Sequence, residues 1–462
     1  MPGTCFCSVK IGCTPPGRVN YVDCRQTRVI ESLREARTRT LALVEDLNDD
    51  QMIGPRLKIV NPLLWEIGHV AWFQEYWVLR HLNGRSPMMA SGDSLYDSAK
   101  VAHETRWDLS LPSRPQTLAY MQSVLDEVTN LRGNEIGNAS YFPSLALLHE
   151  DMHDEAIGYT RQTLGYSKPF FKQVGLIPPA VKGSAHNDQE SETLGDTLVP
   201  GGRFVLGSTP DDHFVFDNEM DAHEVELAPF SISRTAVKNA EFAGFVDEQG
   251  YERRALWSDQ GWRWRESAGA KHPVYWLKNG NRWLSRTFNE IIPLEDHLPV
   301  LHVNWFEAEA FCRWANRRLP TEAEWEMAAS AEPTADGRAI VEHKRRFPWG
   351  NEAPTSNLAN LDWRAMGCVD VRALSDGDSA FGCRQMIGNV WEWTASDFSP
   401  YPGFIPGPYK EYSEPWFGDH KVLRGGCWVT RSRLIHNAYR NFYQPHRRDV
   451  WAGFRTCPLR EV

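Results

Sequence analysis

The 462-residue sequence lacks the features that would place a protein in a membrane or on a nucleic acid. No apolar run approaches the roughly 18 residues of a transmembrane helix. The formal net charge is -10 and the isoelectric point is about 5.9, so no basic surface for nucleic acids or anionic lipids is expected. The first residues contain no apolar core of signal-peptide length. We therefore expect a cytoplasmic protein that binds neither nucleic acids nor membranes.

Cysteine is also scarce. The chain has nine cysteines, an odd number, and four of them (Cys5, Cys7, Cys13 and Cys24) lie in the first 24 residues. Their spacing lacks the later pair that a zinc site of this type needs. A disulfide framework is not expected in so large a chain without a signal peptide. The pattern favours a reducing compartment and a flexible tail over residues 1–25.

The most informative stretch is LALLHEDMHDEAIGYTRQ, residues 145–162. His149 and His153 lie four residues apart, so both imidazoles project from one helical face and can bind one metal ion. The best candidate for a third ligand is His69, in the apolar segment 61–82. HEDMH also matches the HExxH pattern of zinc peptidases, with Glu150 as general base. The spacing alone does not distinguish zinc from iron.

Apolar residues at helical spacing predict an N-terminal four-helix bundle. Pro62 and Pro115 suit the first position of a helix, and Gly165 suits a C-cap. In a bundle, metal sites are built from inward-facing side chains of different helices. We assign the bundle to residues 26–167, with helices predicted over residues 26–48, 62–82, 115–132 and 141–164.

The composition changes after the bundle. Residues 168–197 are rich in proline, glycine and charged residues without periodicity, which indicates a linker. Residues 198–462 combine short alternating strands, short amphipathic helices and loops rich in glycine, proline and tryptophan. This pattern predicts a compact α+β domain, so the fold class is multidomain, α followed by α+β.

Several phrases in the second domain resemble a known family. Residues 299–329, GNVWEWTASDF and KVLRGGCW are similar to the formylglycine-generating-enzyme (sulfatase-modifying-factor) domain, whose core is C-type-lectin-like. The bundle resembles a DinB-type domain. The two together, with HxxxHxE on the fourth helix, resemble the nonhaem iron sulfoxide synthases of ergothioneine and ovothiol biosynthesis. Within that group, WEIGHVAWFQEYWVLRH and DFSPYPGFIPGPYKEYSEPWFG look most like the selenoneine synthases.

The resemblance implies an Fe(II) ion held by His69, His149 and His153. Neutral imidazoles suit Fe(II), and three protein ligands leave positions for dioxygen and for a sulfur or selenium donor. Carboxylates commonly fix metal-bound histidines, and we expect this role for Glu150 and Glu155.

The resemblance also implies that the acceptor is hercynine, the betaine of histidine, bound by residues 440–455. Asn441 matches an asparagine that contacts the acceptor. Phe442 stands where relatives often have tryptophan, and either ring can form a cation–π contact with a quaternary ammonium. The chain departs from the family pattern at Met152, where relatives commonly have glutamine, and at Tyr443, where many have aspartate. Both positions lie near acceptor or donor in the family.

The family uses a tyrosine to supply a proton or an electron during oxygen chemistry. Tyr401 matches that position best, and Tyr409 and Tyr443 are alternatives. A phenol with an ordinary pKa near 10 can donate a proton at any of the three positions.

The donor region also differs from that of the relatives. Enzymes that use γ-glutamylcysteine carry an arginine-rich stretch, which suits two carboxylates. Here residues 94–117 contain only Arg106 and Arg114. This favours a neutral donor such as a selenosugar, bound with Arg106, and we expect carbon–selenium bond formation by a monomer or homodimer. The alternative is an ergothioneine-type synthase that uses γ-glutamylcysteine or cysteine.

Two further alternatives stay open at this point. A true formylglycine-generating enzyme would bind copper through a late cysteine pair, whereas this chain has only Cys427 after the GG turn and no second cysteine before Arg440. Cys427 is therefore interpreted as a small buried residue. The second alternative is that the second domain only binds ligands or partners and the protein is not an enzyme. Such a protein would not need the three histidines, all of which are present.

Overall fold

The computed structural model describes residues 21–131, 141–171, 194–209 and 214–459. Its helices are α1 (Tyr21–Ala42), α2 (Asp49–Ile53), α3 (Leu63–Gln74, continued as a π-helix over Glu75–His81), α4 (Gly92–Tyr96), α5 (Arg114–Thr129), α6 (Tyr141–Leu164), α7 (Asn239–Asp247), α8 (Asp259–Ala268), α9 (Trp305–Trp314) and α10 (Glu322–Ser330).

The strands are short. They are β1 (Asp196–Val199), β2 (Gly202–Leu206), β3 (His223–Leu227), β4 (Phe230–Ser233), β5 (Trp276–Asn279), β6 (Arg282–Thr287), β7 (Glu290–Pro293), β8 (Arg317–Arg318), β9 (Trp391–Asp397), β10 (Lys421–Arg424), β11 (Asn441–Tyr443), β12 (Ala452–Gly453) and β13 (Cys457–Pro458).

The four predicted long helices are present as α1, α3 with its π-helical continuation, α5 and α6. The fourth has the predicted bounds, and Gly165 follows it with a φ of +66° that lets the N–H of Tyr166 reach the carbonyl of Arg161 at 2.9 Å. The first helix ends at Ala42 rather than at the predicted residue 48. Asn48 is instead the N-cap of α2, in a capping box with Gln51.

The predicted bounds of the N-terminal tail and of the linker differ from those in the structure. Helix α1 begins at Tyr21, so residues 21–25, predicted as part of a flexible tail, are helical. The rest of that tail, with Cys5, Cys7 and Cys13, lies outside the described residues. Most of the segment assigned to the linker, 172–193, also lies outside them, and its end overlaps β1, which begins at Asp196 and pairs antiparallel with β4.

The second domain is built from small sheets rather than one large one. The central sheet has the order β11-β10-β9-β12, with β9 and β12 parallel and the other pairs antiparallel. The other strands form a three-stranded sheet (β5-β6-β7) and three strand pairs (β1-β4, β2-β3 and β8-β13). Strand β11 carries Asn441 and Phe442, so the predicted acceptor residues lie at the edge of the central sheet.

One apolar core joins the two domains. Trp65 and Ile157 of the bundle belong to the same buried cluster as Trp391 and Trp428 of the second domain. Gly158 allows a close approach of α6 to the second domain, because a Cβ there would lie 2.7 Å from the ring of Trp363. The shared core places α6, and with it His149 and His153, directly against the second domain. Among the described residues, no helix is both long and apolar enough to cross a membrane.

Candidate metal centre

The three predicted metal ligands converge in the structure. His69 comes from α3, and His149 and His153 come from successive turns of α6. Their ligand atoms all lie within 4.8 Å of one another, and the Nε2 atoms of His149 and His153 are 3.1 Å apart. His69 and His149 are buried and His153 is half-buried. We refer to these three residues as the histidine trio.

Two hydrogen bonds turn the free nitrogens of the trio inward. The Nδ1 of His69 lies 2.7 Å from the carbonyl oxygen of Tyr96, which can only accept, so Nδ1 donates and Nε2 keeps its lone pair. The Nδ1 of His153 lies 2.6 Å from Oε1 of Glu66. Burial would raise the pKa of Glu66, but the adjacent His153 holds that pKa below its ordinary value. Glu66 is therefore an ionised acceptor for His153.

The charge state of His69 and His149 fits a transition-metal site. Burial, together with the neighbouring His153, lowers the pKa of His69 and of His149 well below the ordinary value. The His149 ring stacks on Phe73 at 3.5 Å, and its Nδ1 has no hydrogen-bond partner within the described part of the chain. Neutral imidazoles offer lone pairs to borderline metals such as iron, zinc or copper, and three ligands leave positions open for other molecules.

The two glutamates expected to orient the trio do not do so. Glu150 accepts from Arg37 Nε at 2.8 Å and from Thr40 at 2.9 Å, both on α1. Glu155 accepts from Trp391 Nε1 at 2.6 Å. The prediction is wrong because each helical residue turns about 100°, which carries these side chains away from the histidine face.

In the structure Glu66 is the carboxylate that orients a histidine of the trio, His153. Glu66 lies three residues before His69 in the phrase WEIGH, so both side chains share one face of α3. That spacing was the sequence signal that could have identified it. The contacts of Glu150 also disfavour a zinc peptidase, because its carboxylate is committed to Arg37 and Thr40 rather than available as a general base.

The structure separates the three candidate tyrosines. The Tyr409 ring lies 6.1 Å from the His149 ring and 4.9 Å from Phe73. Burial raises the pKa of Tyr409, so its phenol keeps its proton. Tyr401 lies in a second core cluster, where its hydroxyl donates to Glu322 at 3.2 Å. Of the three, Tyr409 is the one whose ring packs against the trio.

The third tyrosine, Tyr443, lies at the domain interface. The Arg447 guanidinium is 5.4 Å from the centre of the Tyr443 ring. Burial raises the pKa of the Tyr443 phenol well above the ordinary value.

Aromatic side chains connect the metal helix to strand β11. The Tyr439 hydroxyl lies 3.6 Å from the sulfur of Met152 and 3.1 Å from the hydroxyl of Tyr412. The Tyr412 ring stacks on Phe216 at 4.4 Å and meets the edge of Phe442 at 5.6 Å. We call Phe216, Tyr412, Tyr439 and Phe442 the aromatic cluster. The family motifs point to Met152 and Phe442, but no sequence signal marks Phe216, Tyr412 or Tyr439. Phe216 and Tyr412 come from segments that are distant from β11 in the sequence.

Asn441 lies in β11 beside this cluster. Its side-chain oxygen accepts from the backbone N–H of Phe442 at 2.8 Å. Phe442 in turn stacks on Phe398 at 4.0 Å. These contacts hold the start of β11 in one conformation next to the aromatic cluster.

Comparison with known proteins identifies the family. Residues 32–132 match the DinB superfamily, and residues 181–458 match the sulfatase-modifying factor enzyme 1-like domain. A hercynine oxygenase of Mycolicibacterium thermoresistibile is 37% identical over 439 residues, covering 93% of this chain and 94% of that protein. A hercynine oxygenase of Mycobacterium tuberculosis is 36% identical over 431 residues, covering 92% of this chain and 96% of that protein.

The chain belongs to the hercynine oxygenase family. A formylglycine-generating enzyme of Streptomyces coelicolor is 32% identical over 282 residues, but the match covers 54% of this chain and 82% of that protein. Family membership therefore confirms the predicted pairing of a DinB-type bundle with a sulfatase-modifying-factor domain.

Cys427 of this hercynine oxygenase family member is a buried structural residue. It is fully buried, and its sulfur lies 3.3 Å from the Thr430 hydroxyl. Burial raises the pKa of its thiol well above the ordinary value, which disfavours the thiolate that a copper site needs.

The two arginines of the donor region have partners within the bundle. Arg106 stacks on Trp65 at 3.8 Å and donates to Asn61 Oδ1 at 2.6 Å. Trp65 itself stacks on His69 at 4.7 Å, so Arg106 lies behind the trio. Arg114 donates to the backbone carbonyls of Val44 at 2.7 Å and Leu47 at 2.5 Å, just beyond α1.

Proposed function

We propose that this protein is an Fe(II)- and O2-dependent enzyme that joins the selenium of a selenosugar to C2 of the hercynine imidazole. The observation that carries the proposal is the convergence of the three histidines beside Tyr409 and near the aromatic cluster, in a chain of the hercynine oxygenase family.

The reaction balances with dioxygen as the oxidant. The Se–H bond of the donor and the C2–H bond of the imidazole break, and a C2–Se bond forms. One oxygen atom leaves as water with those two hydrogens, and the other is retained on selenium as a selenoxide. The coupling and the selenium oxidation release four electrons, which reduce one O2. Iron held by the Nε2 atoms of the trio would supply the activation of dioxygen.

The second domain supports the acceptor. Hercynine carries a permanent trimethylammonium group, and such cations are favoured near aromatic faces. The aromatic cluster offers several rings between Met152 on the metal helix and Asn441 on β11. We propose that this cluster binds the betaine end of hercynine and directs the imidazole toward the trio.

Tyr409 is the proposed proton donor, in place of Tyr401. Its ring packs against His149 and Phe73, and its raised pKa keeps the phenolic proton in place until a more basic oxygen is near. Tyr401 is tied to Glu322, and the Arg440 guanidinium lies 4.0 Å from its ring centre, which suits a structural role in the second domain.

The hydrogen bonds already made by three arginines favour a neutral donor. The terminal N–H groups of Arg106 and Arg114 donate to Asn61 and to backbone carbonyls. Arg447, at the domain interface, forms a bidentate pair with Asp449 at 2.7 and 2.6 Å. The two carboxylates of γ-glutamylcysteine would be best bound by guanidinium groups that are free to form bidentate pairs. Carbon–sulfur bond formation with γ-glutamylcysteine or cysteine is the alternative.

One experiment distinguishes the donors. Iron-loaded protein is mixed anaerobically with hercynine and one donor (a selenosugar, γ-glutamylcysteine or cysteine), oxygen is admitted, and the products are identified by mass spectrometry. We expect a selenium-containing hercynine adduct with the selenosugar at a rate at least tenfold above the thiol adducts. Faster formation of a thiol adduct would support the sulfur alternative, and no adduct with any donor would refute the proposed reaction.

A further inference from the structure

The acidic residues around the second histidine of HEDMHDE face two different partners. Glu150 and Asp154 bond to Thr40 on α1, within the bundle. Asp151 and Glu155 face the other domain. Because members of each pair are four residues apart, each pair shares a helical face. Helix α6 therefore has one face for the metal, one for the bundle and one for the second domain.

A single loop of the second domain contacts the face of α6 that carries Asp151 and Glu155. We call residues 427–433, between β10 and β11, the clamp loop. Thr430 donates to Glu155 Oε2 at 2.8 Å, and Arg433 forms a bidentate pair with Asp151 at 2.6 Å in both contacts. Trp391 on the adjacent strand β9 donates to the other oxygen of Glu155 at 2.6 Å.

Asp151 and Glu155 are buried, so water cannot easily replace their partners. Glu155 is 6% exposed and Asp151 is 2% exposed. Arg433 and Arg431 also share the carboxylate of Glu35 on α1, at 2.7 and 2.8 Å, in a more exposed contact. A buried carboxylate that loses its donors has a large desolvation cost, so displacement of α6 from the clamp loop is unfavourable.

We infer that Asp151 and Glu155 are positioning residues that set the distance between the trio and the acceptor strand. The inference rests on the proposed function for its substrate. The clamp loop leads into Tyr439, Asn441 and Phe442, while all three metal ligands come from the bundle. The clamp therefore couples the acceptor-binding strand to the metal helix without contributing a ligand.

We expect Glu155→Gln to change hercynine binding but not metal binding. The amide oxygen of the variant can accept from Trp391 or from Thr430 but not from both, because the amide N–H2 group takes the place of the second oxygen. Metal affinity should stay within about twofold of the parent, because the trio is complete within the bundle. The KM for hercynine should rise roughly tenfold, the factor expected when about 1.4 kcal/mol of interdomain contact is lost.

Asp154→Asn is the matched control. It makes the same carboxyl-to-amide change one residue after His153, but on the bundle face, where the side chain lies 2.8 Å from the Thr40 hydroxyl. The amide has the same size as the carboxyl group and can still bond to the Thr40 hydroxyl. We expect both metal affinity and hercynine KM to stay near the parent values.

Three measurements test the inference: metal affinity by chelator competition, hercynine KM by initial rates, and backbone hydrogen exchange of residues 427–433 in the absence of substrate. In Glu155→Gln we expect faster exchange in the clamp loop, and in Asp154→Asn we expect no change. Unchanged exchange in Glu155→Gln would refute the clamp whatever the substrate is. Loss of metal affinity in that variant would also refute it, since Glu155 would then act on the trio itself.

The outcomes separate this inference from the proposed function. If the parent protein does not turn over hercynine, the proposed function fails, and hydrogen exchange still decides whether Glu155 couples the domains. A variant with Trp391→Phe adds an independent test. The ring stays but its N–H is lost, so its effect on clamp-loop exchange should be much smaller in the Glu155→Gln background than in the parent.

Discussion

The contact between Glu66 and His153 provides the sharpest test of the metal centre. Oε1 of Glu66 lies 2.6 Å from His153 Nδ1, and Glu66 is only 3% exposed, so the interaction is a buried, charge-assisted hydrogen bond. Glu66→Gln keeps the size and an accepting oxygen but removes the negative charge. The His153 ring keeps its orientation and becomes a weaker electron donor to a metal.

The expected loss follows from the role of such carboxylates. Removing a partner that orients a metal-bound histidine lowers metal affinity by roughly 10- to 100-fold, or about 1.4 to 2.7 kcal/mol. We expect Glu66→Gln to fall in this range for Fe(II) and for Co(II), because the effect acts on the imidazole and not on one particular metal. Fold stability without metal should change less than metal affinity, since the accepting oxygen remains.

The assay is anaerobic competition for Fe(II) or Co(II) against a chromophoric chelator, with parent and variant at equal concentration. Glu104→Gln is the control, because it makes the same chemical change at an exposed position of the bundle. An affinity for Glu66→Gln within twofold of the parent would show that Glu66 does not support the metal site. Equal losses in Glu66→Gln and Glu104→Gln would point to a general charge effect.

Four further predictions follow from the structure. His149→Ala should abolish stoichiometric metal binding, measured by elemental analysis after dialysis, with little change in the circular dichroism spectrum. Tyr409→Phe should lower kcat by roughly 10²- to 10⁴-fold with hercynine KM nearly unchanged in steady-state kinetics, because only a proton donor is lost. Gly158→Ala should destabilise the protein by about 1 to 3 kcal/mol in urea unfolding, since its Cβ would lie 2.7 Å from Trp363. Burial would raise the pKa of Glu35, but neighbouring arginines lower that pKa from 4.5 to about 2. The ionised Glu35 carboxylate therefore stabilises the protein above pH 4.5, and this stabilisation is lost as the pH falls towards 2. Urea midpoints measured across that range should depend less on pH in Glu35→Gln than in the parent.

The local pattern of the sequence was sufficient for the bundle and for half of the metal site. Periodic apolar residues predicted the fourth helix with its observed bounds, and Gly165 marked its end. The four-residue spacing of His149 and His153 required only helical geometry to place both imidazoles on one face. Such features depend on neighbours within one or two turns, which is the range that a sequence pattern encodes directly.

The same spacing did not reveal which direction the acidic residues face. Glu150 and Glu155 were interpreted as supports of the histidines, yet one bonds to α1 and the other to the second domain. Their partners Arg37 and Trp391 are distant in sequence. Glu150 and Glu155 are close to His153 in the sequence but bond elsewhere. Glu66 is distant from His153 in the sequence but lies 2.6 Å from it in the structure.

The sequence by itself determined the helical bundle, the α+β character of the second domain and, through its motifs, the family and the three histidines. The tertiary structure decided that Glu66 supports His153 and that Tyr409 packs against the trio. It also brought the aromatic cluster together next to Met152, and it revealed the grip of the clamp loop on α6. The physical reason is that helices and short strands arise from local hydrogen bonding and periodic burial, whereas a site between two domains depends on contacts that form only when their shared core is packed.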